Sequence, residues 1–173
     1  MLRVALSEVR SGAVETVADV PPDHPMFQGA EWPLAEPLHI TGRFSAAGEG
    51  KYYWRAKFDT TVRAECRRCL TEVLLPVHQD LQLLFSEDEE IPEGEGVYVI
   101  PPRTQVLELT DAVREEFMLA EPRFVECRPD CKGLCGRCGA NLNDGPCGCA
   151  EPQTDPRWDA LRKLAQDDSP PKD

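Results

Sequence analysis

Residues 52–65 alternate strictly between two faces. Tyr52, Trp54, Ala56, Phe58, Thr60, Val62 and Ala64 fall on one; Tyr53, Arg55, Lys57, Asp59, Thr61, Arg63 and Glu65 fall on the other. A period of two over that length predicts a half-buried β-strand. Residues 71–85 repeat the pattern through Val73, Leu75, Val77, Leu81, Leu83 and Phe85. Two long alternating runs joined by a short link predict an antiparallel pair, and the link is the sequence CRRCL at 66–70. Residues 37–44 predict a further strand upstream, and 97–100 and 105–109 are strand-like downstream. Pro21, Pro22, Pro25, Pro33 and Pro37 forbid a long helix in the first third.

The period changes at 110. Thr110 is placed to N-cap a helix to about Ala120, with Asp111 in its first turn and Val113 and Phe117 on an apolar face; Pro122 ends it. Asp155 followed by Pro156 predicts a second short helix that docks through Trp158, Leu161 and Leu164, with Ala165 on the same side. The stretch 86–96 is an acidic loop, and the tail QDDSPPKD is too polar to fold. The expected fold class is α+β: an antiparallel β-sheet domain with a C-terminal Cys-rich zinc-binding segment and two short helices. The expected domains are a β-rich one with one helix (1–121), a Cys-rich zinc-binding segment (122–150), and a C-terminal helix with disordered tail (151–173).

Composition narrows the function. The 173 residues hold 19 basic and 31 acidic side chains, for a net charge of -12. That balance handicaps general phosphate attraction. The charge is uneven, however. Residues 41–70 hold seven basic groups against three acidic ones, whereas 71–100 hold eight acids and no Lys or Arg. No apolar run approaches the roughly 18 residues of a membrane span, and the N-terminal stretch lacks the apolar core of a secretory signal. A cytoplasmic location with no membrane partner is expected.

Eight cysteines in such a chain are better read as metal ligands than as disulfides. They fall as Cys66-x2-Cys69, Cys127-x3-Cys131, Cys135-x2-Cys138 and Cys147-x-Cys149. Zinc takes four ligands in a tetrahedron, and thiolate pairs on tight turns supply them two at a time. Cys135, Cys138, Cys147 and Cys149 predict one structural zinc site; Gly136, Gly139 and Gly148 loosen the backbone around them. Cys66, Cys69, Cys127 and Cys131 then have only one another as partners, which makes a second site. An iron–sulfur cluster, disulfides or reduced structural cysteines are the competing readings. All-thiolate ligands argue for closed structural sites rather than a catalytic zinc. His24, His39 and His78 fit no ligand spacing and are expected to be satisfied surface residues. With no P-loop, GxGxxG or GxSxG, there is no candidate catalytic residue, enzyme activity or small-molecule substrate.

CRRCL at 66–70, CRPDCKGLCGRCGANLNDGPCGC at 127–149 and DPRWDALRKL at 155–164 together resemble the YceD family. Gly136 stands where many relatives carry Pro. The resemblance implies a bacterial protein linked to accumulation of 23S rRNA and production of the large ribosomal subunit, with no enzymatic activity. Members are often encoded beside a small basic large-subunit ribosomal protein. Two functions follow as expectations. In one, the chain binds 23S rRNA or its precursor through Arg55, Lys57 and Arg63 on the strand face, with Arg67 and Arg68 beside it. In the other, it is an acidic, zinc-stabilised module that binds a basic large-subunit ribosomal protein through 86–96 without touching RNA.

Overall fold

The computed structural model describes residues 2–88, 90–91, 94–149 and 156–158. The chain divides into two compact units, Met1–Cys131 and Lys132–Asp173.

The first unit is built on a five-stranded sheet of β2 (Val14–Val20), β3 (Leu38–Gly48), β4 (Lys51–Glu65), β5 (Glu72–Ser86) and β6 (Val97–Val99), in that spatial order. The first four strands are antiparallel neighbours, and β6 joins the edge parallel to β5. The long alternating runs are β4 and β5, paired without a break from Lys51↔Ser86 to Glu65↔Glu72. A small second sheet pairs β1 (Arg3–Ala5) with β7 (Val106–Glu108). The α+β class read from the sequence is the fold found.

Alternation decides the core. Every even position of β4 from Tyr52 to Ala64 is buried, and Trp54 and Phe58 are fully enclosed. Thr60, the one polar member of that face, satisfies its hydroxyl on the Glu36 carbonyl at 2.9 Å. Phe44, Leu81, Leu83 and Phe85 extend the same buried face across the sheet. Two helices, α1 (Leu6–Ser11) and α2 (Thr110–Ala120), contribute Leu6, Val9, Val113 and Phe117 to the core. The Phe117 ring meets Phe27 edge-on at 5.2 Å and Phe58 at 6.2 Å. Burying several large aromatic rings in one cluster is the main source of stability here.

Two expectations need correction. Thr110 is the first residue of α2 rather than its cap; Leu109 takes the cap position and offers no side-chain acceptor. The helix ends at Glu121, whose extended ψ of 133° is what a residue before proline favours. Trp158, expected to pack, is 60% exposed where Pro156–Trp158 form a 3-10 turn. Leu161, Leu164, Ala165 and the tail lie outside the described residues.

Candidate metal centres and the outer sheet face

The eight cysteines gather into the two quartets their spacing suggested. Cys66, Cys69, Cys127 and Cys131 form one, and Cys135, Cys138, Cys147 and Cys149 the other. Within each, all four sulfurs lie within 4.8 Å of one another. None is joined in a disulfide. Cys66 and Cys131 Sγ are 3.8 Å apart, and Cys69 and Cys127 Sγ are 3.6 Å apart. A tetrahedron with metal–sulfur bonds of about 2.3 Å has sulfur–sulfur edges of about 3.8 Å. The donor set and its spacing therefore fit a single tetrahedral metal ion, and each quartet can bind one. A polynuclear cluster spreads its thiolates over several metal atoms and needs a wider cage.

The two Cys-x2-Cys turns share one backbone frame. The amide of Leu70 donates to the Cys66 carbonyl at 2.8 Å, and that of Gly139 to the Cys135 carbonyl at 2.9 Å. The Cys66 amide closes the loop on Thr71, and the Cys135 amide closes its own on Ala140. The residue after the second cysteine takes a positive φ in both, +58° at Leu70 and +73° at Gly139. Glycine meets that demand freely; leucine does not. Of the three glycines the sequence singled out, only Gly139 is conformationally required, while Gly136 and Gly148 have open space and no such φ.

The same frame sets the electrostatics. Burial opposes the Cys66 thiolate, but backbone N–H groups of Cys127, Arg68 and Cys69 overcome it and hold the thiol at about 6. Backbone N–H groups of Cys138 and Arg137 hold Cys135 at about 6 as well. Burial, together with proton sharing among its neighbours, pushes Cys127 up to about 12. Cys149 rises to about 12 through its bond to Cys138, with burial adding to it. Each quartet thus has one thiol ready to ionise and one that resists ionisation beside existing negative charge. A cation removes that resistance. The first quartet is deeply placed, with Cys66, Cys69 and Cys131 buried, whereas Cys138 of the second is exposed.

The outer face of the sheet carries the basic positions. Arg55 and Lys57 are exposed there, and among the described residues neither makes an ion pair. Arg63 lies 3.9 Å from Glu72, Arg67 is held by Glu126 at 2.7 Å, and Arg68 is exposed on the first cysteine turn. Sequence reasoning missed Arg43, which β3 sets directly opposite Arg55. Like charges facing across a strand pair repel. The Arg55 guanidinium also lies over the Tyr53 ring at 5.8 Å, and the Tyr53 hydroxyl donates to Gln82 Oε1 at 2.8 Å.

The face is not uniformly basic, because β2 and β5 bring Glu15, Asp19, Glu72 and Asp80 beside it. Farther along, Asp19, His39, Asp59 and His78 form a row across four strands, each histidine on an aspartate at 2.5 Å. With His24 accepting the Met26 amide, the three histidines are satisfied residues. In the acidic segment, Glu87 faces Arg10 at 3.5 Å and accepts the Arg103 amide, and Asp88 faces Lys51 at 3.6 Å. Glu89 lies outside the described residues.

An α+β sheet protein carrying two four-cysteine centres is the class these observations define. Residues 54–165 match the family described as large ribosomal RNA subunit accumulation protein YceD, and the chain belongs to that family. It is similar to an uncharacterized protein of Mycobacterium tuberculosis, 35% identical over 105 residues covering 58% of this chain and 49% of the relative. An uncharacterized protein of Mycobacterium leprae is 35% identical over 113 residues, 62% of this chain and 50% of the relative. The large ribosomal RNA subunit accumulation protein YCED homolog 1, chloroplastic, of Arabidopsis thaliana is 30% identical over 100 residues, 50% of this chain and 30% of the relative. The chain spans about half the length, or less, of the curated relatives it matches. No solved structure matches it significantly. Among the described residues, no helix is long and apolar enough to cross a membrane.

Proposed function

We propose that this chain is a non-enzymatic ribosome-biogenesis factor that supports synthesis, processing or accumulation of 23S rRNA by contacting rRNA or its precursor. Two structural zinc ions hold the cysteine turns, and the cytoplasm, where ribosomes are assembled, is its place of action. One observation carries the RNA reading: Arg55 faces Arg43 across β3 and β4, beside exposed Lys57 and the Tyr53 ring. Glu15 faces Arg43 at 3.9 Å from β2, the side away from Arg55, so a phosphate between the two guanidiniums relieves the repulsion left at Arg55, and the aromatic ring offers a surface to a base. Arg63, Arg67 and Arg68 extend the positive charge toward the first cysteine turn. Four thiolates around one position suit zinc, and metal analysis separates it from iron, the other metal such a set holds.

The second reading, an acidic binder of a basic ribosomal protein, draws on the net charge of -12. It is weakened by the engagement of Glu87 and Asp88 with basic groups of the same chain. A triple substitution Arg55→Glu, Lys57→Glu and Arg63→Glu separates the two. All three side chains point away from the buried face, so folding and metal content persist. Binding to 23S rRNA fragments should fall steeply, and the wild-type affinity should weaken with salt in proportion to the few phosphates neutralised. Unchanged rRNA binding by the folded variant would contradict the reading and leave the protein-partner model in front.

A further inference from the structure

The first cysteine turn carries apolar surface that the fold does not use. Phe124 is 77% exposed, the most exposed large hydrophobic residue among those described. It follows exposed Arg123 in the chain, and the Arg67 guanidinium lies 5.3 Å from its ring centroid. Arg67 is fixed in that position: its Nε and Nη2 donate to Glu126 Oε1 at 3.1 and 2.7 Å, and its backbone amide donates to the Val125 carbonyl.

Leu70, three residues beyond Arg67, sets a second puzzle. Its φ of +58° is one that the equivalent position of the other turn fills with Gly139. Holding leucine in that left-handed conformation strains the backbone. Burial does not offset that strain, since Leu70 is 59% exposed. Neither the core nor the backbone calls for this side chain, so its use lies outside the chain itself.

We propose that Phe124, buttressed by Arg67, is a stacking platform for an unpaired RNA base, with Leu70 of the cysteine turn that hydrogen-bonds to Val125 as a further apolar contact and Arg68 and Arg123 contacting the adjoining phosphates. The inference rests on the rRNA-binding reading and deepens it by specifying single-stranded RNA. Charge selects the occupant: Arg67 lies against the ring, exposed Arg123 precedes Phe124 in the chain and exposed Arg68 follows Arg67, while Glu126 offsets Arg67, a balance that favours a polyanion over a basic protein. An arginine-buttressed aromatic ring is also what sequence-tolerant base stacking requires.

The test is a titration of a fluorescently labelled 12-nucleotide polyuridine strand with the full chain in its metal-loaded form. Phe124→Ala should lower affinity about 5- to 100-fold, the range for losing one stacked base, with the slope against salt unchanged. Phe124→Trp should restore binding, and its indole emission should change when RNA is added. Arg68→Gln should instead flatten the salt slope. Leu70→Gly should raise or keep the melting temperature while weakening the RNA complex, which a merely structural leucine would not do.

Wild-type affinity in Phe124→Ala overturns the platform; if the strand-face triple variant still loses binding, the rRNA reading survives. Absence of salt-dependent binding by the wild-type chain overturns both. Loss of a ribosomal protein from Phe124→Ala with RNA binding intact would make this a protein-docking surface and also overturn the inference.

Discussion

Two cysteines three residues from their turn partners illustrate how little sequence is needed to set a local field. Cys135 and Cys66 lie at the start of Cys-x2-Cys turns whose amides converge on sulfur, and both are held at about 6. Because the acid is strengthened, the Cys135 thiolate is present above about pH 6 and lost as pH falls through that value, while Cys149 keeps its proton up to about 12. At Gly42 the issue is space. A Cβ there would stand 2.5 Å from Ala56 Cβ and 2.8 Å from Trp54 Nε1, which donates to Thr16 Oγ1 at 2.9 Å. Gly42→Ala should cost about 1–3 kcal/mol in denaturant unfolding.

At the scale of elements, local periodicity was a good guide and long-range pairing was hidden. The β4 and β5 strands were legible because both alternate: β4 buries every second position from Tyr52 to Ala64, and β5 buries or half-buries every second position from Val73 to Phe85. The short α1 was not, since six residues carry only Leu6 and Val9 as an apolar signal. Nor does any local pattern reveal that β1 pairs with β7 a hundred residues away, or that β6 adds in parallel. The join between α2 and the 28–34 loop is equally non-local. Buried Glu121 accepts the amides of Glu31 and Trp32 at 3.2 and 3.0 Å, and the Trp32 indole donates to the Pro122 carbonyl. Glu121→Ala strands both amides and should cost about 1–3 kcal/mol, seen as a lower unfolding midpoint. No change would mean that water replaces the carboxylate.

For the whole molecule, the two cysteine quartets rest on different foundations. The first quartet is attached to a unit with a large aromatic core, whereas residues 132–149 contribute nothing to the buried apolar cluster. The second segment can fold only through its ligands, turns and metal. If each quartet holds the proposed zinc ion, a strong chelator should remove one of the two first, and hydrogen exchange should rise over 132–149 while β4 and β5 stay protected. Simultaneous loss of both ions with collapse of the sheet would contradict this division. The cysteine spacing foretold the quartets because turn-borne pairs signal themselves in sequence. The opposition of Arg43 to Arg55 and the exposure of Phe124 did not, because both depend on how distant segments meet.

Ultraviolet cross-linking in growing cells, followed by sequencing of the attached RNA and mass spectrometry of the attached peptide, tests the central claim most directly. Direct rRNA contact predicts reads concentrated in 23S rRNA or its precursor, with adducts on peptides containing Tyr53 or Phe124. Background levels of RNA, together with protein cross-links from the 86–96 segment to a basic ribosomal protein, would contradict it.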